Sequence, residues 1–239
     1  MRLDHVSYAA SHEQISDVVN RIGSQIGTAF IDGGVHPKFG TRNFTAPLLN
    51  GQYIEVVCPM DHPATDSTPF GRSVKKKVSE GGGWLSWVIA STNLEIIEKK
   101  LGRKAVEGKR KKPDGTELSW KQLGVLSILE DASNPFYVEW ISHNHPSQDG
   151  VPVATISKLN IASNDPKILK SQEIDLIEKN SSVSISWLEA VKNDQTGIIS
   201  IDFKVGSKIV CLQSWLGKIS CAQMYYLLIQ VTRKLFIKG

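Results

Sequence analysis

The 239-residue sequence predicts an α+β fold assembled from repeated strand–helix–strand units. Three observations carry that expectation. LDHVSYAASHEQI, residues 3–15, and LSWVIASTNLEII, residues 85–97, share one rhythm: an apolar strand, then a turn into a helix. QYIEVV and FYVEWI each place a glutamate two residues after a tyrosine, so each pair shares one strand face. KLNIASNDPKILK, beginning at Lys158, opens a third and fainter copy.

In the first unit Ser11 and Gln14 have capping-box spacing, and Ile15, Val18, Val19, Ile22 and Ile26 trace one apolar stripe before Gly23 and Gly27. GGVHPKFGTRN is rich in turn formers and reads as a loop; RNFTAPLL and QYIEVVCP read as strands. In the second unit WLSWVIAS is a strand. Thr92 or Asn93 caps a short helix through Leu94, Ile97 and Leu101, with Gly102 behind it. A basic loop ending in PDG then leads to the strands ELSWKQLGV and FYVEWIS. The third unit has Pro166 where a first helical turn tolerates it, then SVSISWLEAV, IISIDFKV and KIVCLQ as strands. PSQDGVPVA, residues 146–154, reads as the linker before it. The expected division is 1–146 for the paired units, 153–213 for the third and 214–239 for a C-terminal extension.

Matching the units in register sets Glu55, fifty residues after His5, against Glu139, fifty-two residues after Trp87. The third unit has Leu159 and Val210 or Cys211 at the corresponding places and so lacks such side chains.

The composition, 41% hydrophobic and 22% charged with a formal charge of +4, is that of an ordinary globular protein. Lys75–Lys77 and GKRKK at 108–112 are basic runs, which read as solvated loops or as a surface for an anionic partner. They lack interleaved aromatics, so no nucleic acid is expected. Cys58, Cys211 and Cys221 have no paired spacing, which argues against a disulfide framework or a structural zinc. No signal-peptide pattern is expected in MRLDHVSYAA, and ISCAQMYYLLIQVT, residues 219–232, is too short to span a bilayer. The expectation is a reduced, cytoplasmic protein with no transmembrane segment.

His5, Glu55 and Glu139 would converge if the two units formed one curved sheet. Imidazole and carboxylate oxygens bind divalent first-row metals, and three protein ligands leave room for water or substrate. Spacing alone does not decide this, since a strand histidine is as readily a hydrogen-bonded core residue and strand glutamates often face solvent.

LDHVSYA, then GGVHPKFGTRNFTAPLLNGQYIEVV, then RKKPDGTELSWKQ resembles the glyoxalase-like domain family of bacteria, within the vicinal oxygen chelate superfamily. The resemblance covers residues 1–146 well and 153–213 loosely. It implies tandem βαβββ modules forming a curved mixed sheet of the glyoxalase/dihydroxybiphenyl dioxygenase kind, plus a third, degenerate βαβββ-like module. In metal-dependent members four ligands come from the first and last strands of two modules. His5, Glu55 and Glu139 match three of those positions, and Trp87 occupies the fourth. An indole nitrogen is only a donor and cannot ligate. Two readings follow: a three-ligand divalent metal (Zn, Ni, Mn or Fe), or an organic-ligand pocket with Trp87 as aromatic wall. His36, Thr41 and Asn43 belong to the family's loop-and-strand motif and would line the cavity mouth, with Trp120 as a second aromatic wall. His143 and His145, in SHNHP, read as a turn before Pro146.

The functions implied are a lyase/isomerase or dioxygenase acting on a small organic molecule, or a non-catalytic protein binding one without metal. A homodimer is a further expectation.

Overall fold

A computed structural model describes residues 1–164, 182–190 and 195–214. Its first eight strands close into a barrel of order β1-β4-β3-β2-β6-β7-β8-β5. One half holds β1 (Arg2–Ala9), β2 (Ile31–His36), β3 (Thr41–Leu48) and β4 (Gln52–Pro59); the other holds β5 (Gly83–Ala90), β6 (Val106–Lys111), β7 (Glu117–Leu123) and β8 (Phe136–Trp140). The halves share one internal order, and in each the first strand runs parallel to the last: His5 lies opposite Tyr53 in one, Val88 opposite Phe136 in the other. This is the tandem βαβββ arrangement.

Helix α1 (Ile15–Ile26) buries Ile15, Val18, Ile22 and Ile26 against the outer face of the barrel. Ser11 makes half of the capping box, accepting from the Gln14 amide at 3.3 Å, and Gly27 ends the helix in the left-handed region at φ +70°. The matching α4 (Glu95–Leu101) starts where Asn93 Oδ1 accepts from the Glu95 amide at 2.7 Å.

Four sequence expectations change. The turn-rich GGVH is strand β2, not loop; its glycines allow a register shift between Asp32 and Gly34 and a backbone approach so close that a Cβ on Gly34 would lie 2.2 Å from the Lys111 carbonyl. The two basic runs are not loops. Lys75–Lys77 sit on α3 (Pro69–Ser79), which follows α2 (Pro63–Ser67) in the connection between halves, and GKRKK forms most of β6. A short α5 (Val125–Glu130) stands between β7 and β8. The 146–154 linker begins with a 3₁₀ turn, Pro146–Gln148, capped by His145.

The third unit supplies a separate four-stranded sheet, β9 (Ala154–Ser163), β10 (Ser184–Glu189), β11 (Gly197–Val205) and β12 (Lys208–Gln213), in the order β10-β9-β11-β12. With β9 in the middle and parallel to β10, this order differs from that of the barrel halves. The sheet packs on the outside of the β1–β5 seam: Trp84 donates its indole N–H to the Leu212 carbonyl at 3.1 Å, and Leu3, Trp84, Trp87, Ile156, Leu159 and Phe203 share one core. Pro166, Cys221 and the apolar stretch 219–232 lie outside the described residues. No helix among those described is long and apolar enough to cross a membrane.

Candidate functional site

A second core, inside the barrel, surrounds a cavity where side chains from both halves meet. Strand alternation points every other residue of each strand into it. β1 and β4 contribute His5, Tyr53 and Glu55; β2 and β3 contribute His36 and Asn43. Opposite them stand Trp120, Phe136, Val138 and Trp140, with Phe39 and Phe70 at one end. The cavity is small, about 30 Å³. The space is narrow and aromatic.

His5 is fixed from two sides. Its ring stacks on Tyr53, centroids 4.3 Å apart, and its Nδ1 lies 3.0 Å from Asp4 Oδ2. Neighbours on a regular strand face opposite ways, but the β1–β5 register skips Asp4, and this bulge re-aims its carboxylate. Asp4 is fully buried and collects four donors. Oδ2 receives His5 and the Trp140 indole at 3.1 Å, and Oδ1 receives Arg2 at 2.8 Å and His145 Nε2 at 3.2 Å. Burial works to raise its carboxyl, but the bonds from His145 and His5 and their charges hold it well below the usual carboxylate range. His145 Nδ1 accepts from the Ser147 amide at 3.1 Å, so the ring proton sits on Nε2 and goes to Asp4. By the same logic Asp4 takes the Nδ1 proton of His5 and leaves Nε2 facing Glu55 Oε2 at 4.0 Å.

Glu55 is buried and its two oxygens have separate partners, Ser7 Oγ at 2.7 Å and Asn43 Nδ2 at 2.7 Å. Burial raises its carboxyl, but His5 and His36 nearby and these two bonds hold it below the ordinary value. Asn43 Oδ1 accepts from Arg110 at 2.8 Å, and the same guanidinium nitrogen donates to the Gly33 carbonyl at 2.6 Å. A Cβ at 33 would lie 2.0 Å from Arg110 Nη1, so a larger residue there would displace the guanidinium from this pair of acceptors. His36 shares a 3.0 Å bond with Thr41 Oγ1; burial above all, helped by Arg110 and His5 against Glu55, lowers it to about 4, so it is neutral at pH 7. Burial, then Asp4 and Glu55, push the Tyr53 phenol well above its ordinary value.

The structure thus gathers His5, Glu55, His36, Thr41, Asn43 and Trp120 at one place and leaves two expected residues outside. Glu139 alternates with Val138 and Trp140, which face inward; its carboxylate caps the Leu94 amide at 3.0 Å and lies 3.9 Å from Lys121. Trp87 is wholly buried on the outer side, donating to the Ser133 carbonyl at 3.0 Å and meeting Trp187 edge-on. The register match between modules was one residue off. Val88 and Val138 occupy the places that correspond to His5 and Glu55, and a slip of one exchanges the faces of a strand. Sequence reading missed Asp4, Ser7, Arg110 and Trp140. Ser7 carried a legible signal, standing two residues from His5 on the same face.

A divalent metal does not fit this donor set. Val88 and Val138 hold the places in the other half that correspond to His5 and Glu55, both Glu55 oxygens already hold bonds, and among the described residues no group of three or more His, Cys, Asp or Glu is placed to hold an ion.

No curated protein matches the sequence. Among solved structures, a hypothetical protein from Staphylococcus aureus is 16% identical with a TM-score of 0.62, covering 87% of this chain and 92% of that one. Methylmalonyl-CoA epimerase from Mycobacterium tuberculosis is 12% identical with a TM-score of 0.38, covering 58% and 86%. A Streptomyces coelicolor methylmalonyl-CoA epimerase variant in complex with 2-nitronate-propionyl-CoA is 14% identical with a TM-score of 0.40, covering 60% and 99%. The sequence itself matches the glyoxalase-like domain family over residues 3–173. With that match and the paired βαβββ barrel, the chain belongs to the glyoxalase-like domain family of the vicinal oxygen chelate superfamily.

Proposed function

We propose that the barrel cavity takes up a small organic molecule and that the protein acts on it without a divalent metal, His5 being the group that moves a proton. The observation that carries this reading is the asymmetry of the cavity walls: His5 and Glu55 on one half, Val88 and Val138 at the corresponding places on the other. With valines at the other two places and His36 bonded to Thr41, the set makes a poor metal site but a workable acid–base site. Asp4 fixes the Nδ1–H tautomer of His5, which leaves the Nε2 lone pair to accept a proton from an acidic C–H or O–H of the bound molecule. The imidazolium formed is stabilised by Asp4 behind it, and Glu55 stands on the other side of the ring. Phe39, Phe70, Trp120, Phe136 and Trp140 supply apolar walls that exclude water and suit a compact or planar ligand.

The test has two parts. Titrating the purified protein with Zn, Ni, Mn and ferrous iron should show no saturable site; one tightly bound equivalent that H5A and E55A both lose would sink the metal-free reading. Small carbonyl compounds incubated with the protein in D₂O should take up solvent deuterium. H5A should abolish that uptake, whereas an H5A rate equal to wild type would remove His5 from the chemistry.

A further inference from the structure

Resting on that reading, the structure also indicates what kind of molecule enters and where. The barrel has two seams between its halves, and they are unequal. β1 and β5 pair at seven positions, from Arg2 opposite Ala90 to Ala9 opposite Gly83, whereas β2 and β6 pair only at Val35 opposite Lys111. Beyond that pair the gap is bridged by a side chain, Lys38 Nζ donating to the Glu107 carbonyl at 2.9 Å. A groove lies over this weak seam, lined by Lys38, Lys109 and Lys111 against Glu107 and Glu117, with the buried Arg110 beneath, so three exposed cations stand beside two carboxylates. Arg110 lines both this outer groove and the inner cavity. It is 4% exposed, and one of its terminal nitrogens makes both of its hydrogen bonds. Among the described residues the other terminal nitrogen and Nε have no partner, and neither is sealed from solvent. Nor is Arg110 the direct counter-charge of Glu55, whose oxygens are taken by Ser7 and Asn43 and which has His5 beside it. A buried guanidinium with two free donor nitrogens, behind a positively charged groove, matches an oxyanion.

We propose that the β2–β6 seam is the entrance to the cavity and that Arg110 holds the oxyanion end of a small organic ligand whose other end reaches His5 and Glu55. The lysines outside draw the anion in, a long-range effect that salt screens. A carboxylate and a phosphate ester share this chemistry.

Calorimetry on the full chain with matched probes tests the assignment: acetate against acetamide, benzoate against benzamide, methyl phosphate against methanol. In each pair the anion should bind roughly 30-fold tighter, the scale of hydrogen bonds to a charged group. R110Q should shrink that gap to about threefold or less while keeping the affinity for the neutral probe. The stronger anion, carboxylate or phosphate, names the source, and either supports the proposal. Equal binding of anion and neutral partner, or a gap that survives in R110Q, overturns it while leaving the metal-free cavity standing. Failure of every probe to bind overturns both. Should R110Q not fold, the surface triple variant K38Q/K109Q/K111Q decides. Its association rate for the anion at low salt should fall roughly tenfold and lose its salt dependence, whereas an unchanged rate overturns the entrance.

Discussion

Asp4→Asn tests the network that orients His5. The carboxylate is fully buried and serves donors on both oxygens: His5 and Trp140 at one, Arg2 and His145 at the other. An asparagine of the same shape must turn its NH₂ toward one of these pairs, setting a donor against two donors. Breaking a buried charge-assisted set in this way costs about 3–5 kcal/mol. Arg2 adds little to that figure because its side chain is 37% exposed and screened by solvent. For a chain of this size each kcal/mol shifts Tm by about 2–4 °C, so D4N should melt roughly 6–20 °C below wild type. The acid limb gives a second reading. Asp4 is held well below the ordinary range in the folded state, so its stabilisation is in force above the unfolded carboxyl value of about 4 and is lost as pH falls through the folded one. The gap between wild type and D4N, by differential scanning calorimetry, should therefore narrow as pH falls below about 4. A D4N protein that melts within about 2 °C of wild type, or a gap that stays wide in acid, would refute the reasoning.

Three further outcomes follow from the same structure. W87A, which empties a fully buried site between the barrel and the second sheet, should cost about 3–5 kcal/mol in urea denaturation while leaving affinity for cavity ligands unchanged in the folded protein. E139Q should cost at most about 1 kcal/mol, by weakening the cap on the Leu94 amide, and should bind ligand as wild type does; E55Q should not. His36, lowered to about 4, should titrate near that value by NMR. Because burial favours its neutral form, the stability it contributes is present above the unfolded histidine value of about 6.5 and is lost as pH falls from there through the folded value. H36Q should therefore flatten that part of the stability profile.

Much of the fold was legible because it depends on local patterns. The α1 stripe, the glycine stops at 27 and 102 and the closing strands QYIEVVCP and FYVEW are written in consecutive residues, and a duplicated pattern announces a duplicated module. Strand β2 was not, since its glycines serve a close approach to Lys111 that exists only once the second half is in place. The basic run 108–112 looked solvated because its neighbours were unknown; in β6, Arg110 turns inward while Lys109 and Lys111 face out.

The sequence by itself determined that two like modules would fold together and that Tyr53 and Glu55 would share one strand face. Tertiary structure decided the rest. A strand has a period of two, so a match read one residue out exchanged Trp87 for Val88 and Glu139 for Val138, and only the pairing of Val88 with Phe136 fixes the register. Asp4 reaches His5 through a bulge set by pairing with a strand more than seventy residues away, and His145 and Trp140 arrive from the end of the other half. Charges and donors separated this far along the chain meet only when the barrel closes, so their partnership is a property of the fold and not of any segment.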